Sequence, residues 1–296
     1  MENLSNIKKG FVLALLGATC WGISGVLGEY MLNISKIDPL WIITTRLFYS
    51  GLLMLIVVLV KKRKEAFIIF KNKKDTFMLF NFSFLGLFIC QSTYFMAIKY
   101  TNAGTATVLQ YIGPVMIMAY YCLVRKRLPL FNEFLAIVFS LVGVVVIATH
   151  FDFNNLAVST LGLFWGIFSA VGLASYNIFS VSLTKKYGAT IVTAWGLFIA
   201  GIVIYFSTGS FYIPSEFGIV DLLCMIGVVI VGTIMSFTVY LEGVRLIGAV
   251  RGSIISCFEP IAAIIFSFLI LGTTFSFLDI LGAASILMAV VLLAKR

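Results

Sequence analysis

The chain has 296 residues, of which 61% are apolar, 15% aromatic and only 11% charged, and its mean hydropathy is +1.10. A soluble domain carries about 25% charged and about 45–50% apolar residues. The composition therefore excludes a soluble globular protein, a disordered chain, and a nucleic-acid binder that owes its net charge of +9 to a basic groove. A membrane-spanning helix takes about 20 apolar residues, so the chain is a polytopic membrane protein with short connections and no room for a soluble module.

Lys8 and Lys9 precede an apolar run starting at Gly10. The run is too long for a signal-peptide core and lacks a small-residue cleavage site, which predicts a retained first span over 10–32. Four more spans are predicted over 40–60, 76–98, 103–123 and 130–149, and five over 159–183, 190–207, 222–242, 248–271 and 277–294. With the N-terminus inside, the inner segments hold Lys8, Lys9, the basic run from Lys61 to Lys74, Arg125 to Arg127, Lys185, Lys186, Arg245, Lys295 and Arg296. The outer loops hold only Lys36 and Lys99, while Arg46 and Arg251 fall within spans. This asymmetry is a positive-inside signal: both termini are expected in the cytoplasm, and the basic charge faces anionic lipid. The five cysteines lie in apolar stretches without a C-x-x-C, so no disulfide framework or metal site is expected.

The chain contains an internal repeat. Gly10, Ala14, Ala18 and Gly22 match Gly162, Gly166, Ala170 and Ala174 at a shift of 152; Leu47, Phe48 and Gly51 match Leu197, Phe198 and Gly201 at a shift of 150. At a shift of 146, Gly86 matches Gly232, Tyr94 matches Tyr240, Lys99 matches Arg245, Ala103 matches Ala249 and Pro114 matches Pro260. Residues 1–150 and 151–296 are thus read as two five-helix repeats. An odd number of spans makes the second enter the membrane from the opposite side, the signature of carriers that alternate access.

These motifs resemble the EamA-type branch of the drug/metabolite transporter superfamily, across nearly the whole chain and twice over. They are Trp21-Gly22, Arg46, the stretch from Tyr94 through Lys99 and Ala103 to Pro114, and the stretch from Tyr240 through Arg245 and Ala249 to Glu259-Pro260. The resemblance implies a central cavity and transport of small organic molecules, often export of amino acids. Family members often carry Gly-Glu twelve and thirteen residues after each proline, where this chain has Lys126-Arg127 and Gly272-Thr273.

Charges at mid-bilayer need partners or a wet cavity. Glu29 and Arg46 both sit near the outer side and are expected either to pair or to act in gating. Arg46 has Gly196 as its repeat mate and its planar fork suits a carboxylate. Pro260 cannot donate to the Ser256 carbonyl, nor Pro114 to the Gln110 carbonyl, so kinks and free polar groups are expected at matched depths. Glu259, directly before Pro260, is the candidate for proton coupling. Tyr94, Gln110, Tyr111, Tyr176, Asn177, Trp195, Tyr240, Ser256 and Glu259 are candidates to line the substrate site. Trp21, Glu29, Arg46, Pro114, Glu242 and Pro260 are candidates for gating or coupling.

No metal-protease, P-loop or G-x-S-x-G motif occurs. Gly22-Ile23-Ser24-Gly25 with the single histidine, His150, is a weak intramembrane-protease signature. The reading is an all-α membrane protein of ten helices in two inverted repeats. It is expected to be a secondary transporter exporting a small metabolite, with an amino acid as first choice and no cofactor. Efflux of amphipathic cations is the alternative, and a channel or sensor is a third.

Overall fold

A computed structural model describes residues 2–152, 155–209, 212–215, 217–247, 252 and 255–294, apart from the side chains of residues 2–5, 245 and 294. Ala249 and Arg251 lie outside the described residues. The described residues form helices and connecting turns. Among them, eight helices are long and apolar enough to cross a membrane: α1 (Asn6–Ile34), α2 (Pro39–Ala66), α3 (Lys73–Tyr100), α4 (Ala103–Val124), α5 (Phe131–Thr149), α6 (Thr160–Tyr187), α7 (Ala189–Thr208) and α8 (Ile219–Val244). Two shorter apolar helices follow, α9 (Phe258–Leu271) and α10 (Phe277–Leu293). Bilayer hydrocarbon cannot satisfy a free backbone group, so crossing segments must bond internally.

The helix ends follow from local chemistry. Asp38 accepts from Leu40 N at 2.8 Å and Trp41 N at 3.1 Å, with Pro39 as the first residue of α2. Asn102 caps Thr105 N at 2.8 Å; Ser159 caps Gly162 N at 3.1 Å. Such caps satisfy amide groups that have no partner within the helix. The caps also repeat. Glu133 reaches back to Leu130 N at 2.7 Å at the start of α5, and Asp279 reaches back to Ser276 N at 2.8 Å at the start of α10. Asp75 of α3 binds Lys186 and Tyr187 of α6, while its repeat mate Asp221 of α8 binds Ser35, the mate of Tyr187.

Both central helices of the repeat are interrupted where the prolines require it. In α4 the helix breaks at Tyr111 and Ile112 and restarts at Gly113 with Pro114 in its first turn. In the second repeat the turn falls at Cys257, immediately before Phe258 and Pro260. Tyr111 and Cys257 are themselves 146 residues apart in the sequence. Wide π-helical turns occupy Phe82–Phe88 of α3 and Gly227–Met235 of α8, again at matching positions.

The repeats interleave. Helix α1 packs on α8 and α9, α6 packs on α3 and α4, α2 on α7, and α5 on α10. The α2–α7 contact is reciprocal: a Cβ on Gly51 would lie 2.5 Å from Phe198 Cα, and a Cβ on Gly201 would lie 2.5 Å from Phe48 Cα. Gly143 and Gly282, which are not repeat mates, also let α5 and α10 approach closely, against Ile286 and Ile147, whereas Gly51 and Gly201 are mates. Reciprocity of this kind is what a two-fold relation between halves generates. Small residues are needed there because close packing, rather than a hydrophobic difference, holds helices together in lipid.

Gly51→Val should therefore cost about 1–3 kcal/mol through overpacking and lower the thermal unfolding midpoint of the detergent-solubilised protein. An unchanged midpoint would show that α2 and α7 are not held this closely.

Candidate functional site

The break in α4 and the break before α9 bring the two matched regions together. Pro260 leaves the Ser256 carbonyl without its helical donor, and Tyr111 Oη takes that place at 2.5 Å. The same hydroxyl lies 3.1 Å from Glu259 Oε2. Tyr111 has one hydroxyl proton and two acceptors before it. If Glu259 is ionised, the proton is shared between the two. If Glu259 is protonated, its own O–H donates to Tyr111 Oη and the tyrosine donates to Ser256, which gives each of the two protons its own acceptor. Tyr240 hydrogen-bonds the Ser256 side chain, and its ring meets Trp21 at 4.9 Å. Gln110 Nε2 donates to Cys90 Sγ at 3.4 Å.

Arg46 reaches the same interior from α2. It is buried, donating from Nε to Thr233 Oγ1 at 3.2 Å and from Nη2 to the Gly232 carbonyl at 3.3 Å, with its guanidinium 5.5 Å from the centre of the Phe95 ring. Its electrostatic neighbours are Tyr94, Glu259 and Cys90. Glu259 and Arg46 feel one another, yet no ion pair forms between them within 4.0 Å. An arginine and a carboxyl group thus lie deep in the bundle without direct contact. Glu259, Tyr176 and Tyr240 are densely surrounded by protein but keep partial accessibility.

The expected Glu29–Arg46 pair is not formed. Glu29 Oε2 instead accepts from Ala103 N at 2.8 Å and Ser267 Oγ at 2.9 Å, while Oε1 accepts from Thr273 Oγ1 at 3.3 Å. It closes the outer side by joining α1 to the start of α4 and the end of α9. The helix N-terminus at Ala103 supplies an amide that outcompetes a distant guanidinium.

Other candidates lie apart from this cluster. Trp195 is near the inner end of α7, donating to the Ala66 carbonyl at 2.8 Å and packed on Phe67 and Phe70. Asn177 bonds back to the Leu173 carbonyl of its own helix at 2.8 Å. Tyr94 is sealed, its hydroxyl 2.8 Å from Thr107 Oγ1. Glu242 is half-buried toward the inner end of α8. Pro114 is half-buried and Pro260 buried, each just beyond its helix break. The protease pairing of Ser24 with His150 is not formed: His150 Nε2 sits 2.8 Å from Asp279 Oδ1 at the outer end of α5. Ser24 is buried beside Gly232, without a hydrogen-bond partner among the described residues.

Sequence reasoning missed Thr233, Gly232 and Phe95, the groups that hold Arg46. The available signal was Thr233 as a lone hydroxyl in the apolar run 226–235. The repeat also explains why Arg46 stands alone. Its mate Gly196 faces Phe82 and Leu87, and Leu87 is the mate of Thr233. One repeat fills this place with hydrocarbon, the other with a cation.

Burial is unequal between repeat mates. Ser24, Gly25, Val26, Gly28 and Glu29 are buried at the outer half of α1, while Tyr176, Asn177, Ile178 and Ser180 are half-buried at the inner half of α6. Glu29 is 5% exposed and its mate Val181 42%. Tyr94 is buried and its mate Tyr240 half-buried. Among these mates the outer positions are closed and the inner ones are looser.

Comparison with known proteins agrees with this architecture. The EamA-like transporter family matches twice, over residues 8–149 and 160–295. The chain is 34% identical to the uncharacterized inner membrane transporter YicL of Salmonella typhimurium, over 98% of this chain and 97% of that protein. It is 19% identical to the uncharacterized transporter YcbK of Bacillus subtilis over 96% of this chain and 93% of that one. A solved crystal structure superposes with a TM-score of 0.60 at 15% identity, covering 97% of this chain and 95% of the other; at that identity the likeness concerns the fold alone.

Glu29→Ala should expose the start of α4. Losing a helix cap costs about 1–2 kcal/mol, so amide exchange at residues 103–107 should accelerate about five- to thirtyfold. Unchanged exchange would mean that Glu29 does not hold this end.

Proposed function

Since the chain belongs to the EamA-like transporter family, we propose that this multi-pass protein of the cytoplasmic membrane exports a small organic solute by alternating access, with an amino acid as the first substrate class. The observation that carries this reading is the separation of Arg46 from Glu259. Both are enclosed and electrostatically coupled, and among the described residues neither is in an ion pair. An uncompensated buried charge is costly, and a zwitterion brings one group of each sign. Its carboxylate suits the fork of Arg46, and its ammonium suits Glu259 beside Tyr111.

Alternating access is supported by the unequal burial of repeat mates. Two halves built alike that adopt different exposure at matched positions have a second state available, in which the exposures exchange. The tighter outer end fits loading from the cytoplasm. A coupling proton fits the Tyr111–Glu259 contact, where protonation completes the hydrogen bonding to Ser256. Proton and ammonium would then compete for one carboxylate, which links solute release to proton uptake.

The Trp21–Tyr240 aromatic wall beside Glu259 favours a second reading, efflux of an amphipathic cation. Arg46 discriminates between them, since it repels a cation and attracts a carboxylate.

Counterflow in proteoliposomes tests both. Wild type should exchange labelled amino acids saturably, and Arg46→Ala should weaken that exchange by about tenfold or more, as expected for loss of a charged hydrogen bond of about 1.5–3 kcal/mol. Glu259→Gln should retain exchange and lose pH-driven accumulation if the glutamate carries only the proton, and lose both if it also binds the ammonium. Exchange of cationic dyes with none of amino acids would replace the first reading by the second. Unsaturable flux without counterflow would indicate a channel.

A further inference from the structure

We propose that the groove between α4, α5 and α10 on the inner side of the membrane binds one anionic phospholipid of the cytoplasmic leaflet. The groove has a volume of about 450 Å³ and follows one face of α4 through Pro114, Ile117, Met118, Tyr121 and Arg125, closed on its far side by Leu293. Spacings of three and four residues keep these side chains on a single stripe. From Pro114 to Arg125 the helix rises about 16 Å at ~1.5 Å per residue. One leaflet of a hydrocarbon core of about 30 Å is about 15 Å deep. The trough therefore runs from near the midplane helix break to the level of the headgroups.

Its mouth carries the matching charge. Arg127 is consumed by Glu133, with Nη1–Oε2 at 2.7 Å and Nη2–Oε1 at 2.8 Å. Arg125 lies over the Tyr121 ring at 5.7 Å, exposed, and forms no ion pair among the described residues. Lys126 is exposed beside it, held in a left-handed conformation at φ 50°. Leu123, Leu128 and Phe131 around the mouth are 78%, 86% and 73% exposed, an apolar collar suited to lipid. An apolar trough, a basic mouth and an apolar collar fit an acyl chain below a phosphate.

The repeat supplies an internal comparison. At the outer end the mates of Arg125, Lys126 and Arg127 are Leu271, Gly272 and Thr273. Gly272 adopts the same left-handed turn without strain, at φ 68°. The sequence places basic residues in this turn only on the side where the leaflet is anionic. A lipid seated there would lie against Pro114, directly below the helix break that carries Tyr111.

Native mass spectrometry of the purified full chain tests this, with phosphatidylglycerol and phosphatidylcholine of equal chain length as probes. The expected result is one phosphatidylglycerol retained in preference to phosphatidylcholine. The double variant Arg125→Ala, Lys126→Ala should retain it about twenty-five-fold less, since each basic residue near an anionic surface contributes roughly fivefold. Arg125→Lys with Lys126 intact should keep retention. Ile117→Trp, which fills the trough and leaves the charges in place, should reduce it. Equal retention of the two lipids, no change in the double variant, or displacement by excess inorganic phosphate would each overturn the proposal, the last by indicating a free-anion site.

Discussion

Gly51 of one repeat lies against the backbone of Phe198 in the other, and Gly201 lies in turn against Phe48. This reciprocal approach of α2 and α7 is the constraint on which the other contacts rest. Lipid gives helices no hydrophobic reason to associate, so close packing and interhelical hydrogen bonds must hold them. Because the main contacts run between repeats, neither half forms a core by itself: α1 depends on α8 and α9, and α6 on α3 and α4. A shift of one repeat is therefore a shift of the other, as a carrier that exchanges two conformations requires.

The near-symmetry makes its exceptions informative. Gly86 and Gly232, and Pro114 and Pro260, are kept in both repeats, where the glycines admit close packing and the prolines break the helices. Where the repeats differ, the difference has a chemical consequence. Arg46 against Gly196 creates one buried cation. Glu29 against Val181 ties one end of the molecule and leaves the other loose. Arg125 to Arg127 against Leu271 to Thr273 makes one groove mouth basic. The molecule thus combines a common scaffold with a few polar groups present in one repeat only, and those within the bundle are costly in a bilayer unless partnered.

The spans, the repeat and the helix breaks were legible in the sequence because each rests on local chemistry: apolar length, small-residue spacing and the missing proline amide. The Pro260 argument located a free carbonyl at Ser256, and the structure adds its partner, Tyr111. The partners of Glu29 and Arg46 were not legible. Hydropathy assigns depth but not azimuth, so two charges of similar depth looked like a pair although one meets the Ala103 amide and the other Thr233. Trp195 is different, since its position six residues into α7 already implied the inner surface. Its aromatic character drew it into the site list, and its hydrogen bond to Ala66 places it elsewhere.

The central claim is that repeat mates take opposite exposures which exchange during transport. Single cysteines at Val26 and Ile178, in a background lacking the five native cysteines, probe it directly through thiol-labelling rates in oriented membrane vesicles. The account predicts rapid labelling at 178 from the cytoplasmic side, protection at 26 from the outside, and a reversal of the order when Glu29→Ala removes the outer tie. Equal rates at the two positions, or faster labelling at 26 with Glu29 intact, would contradict it.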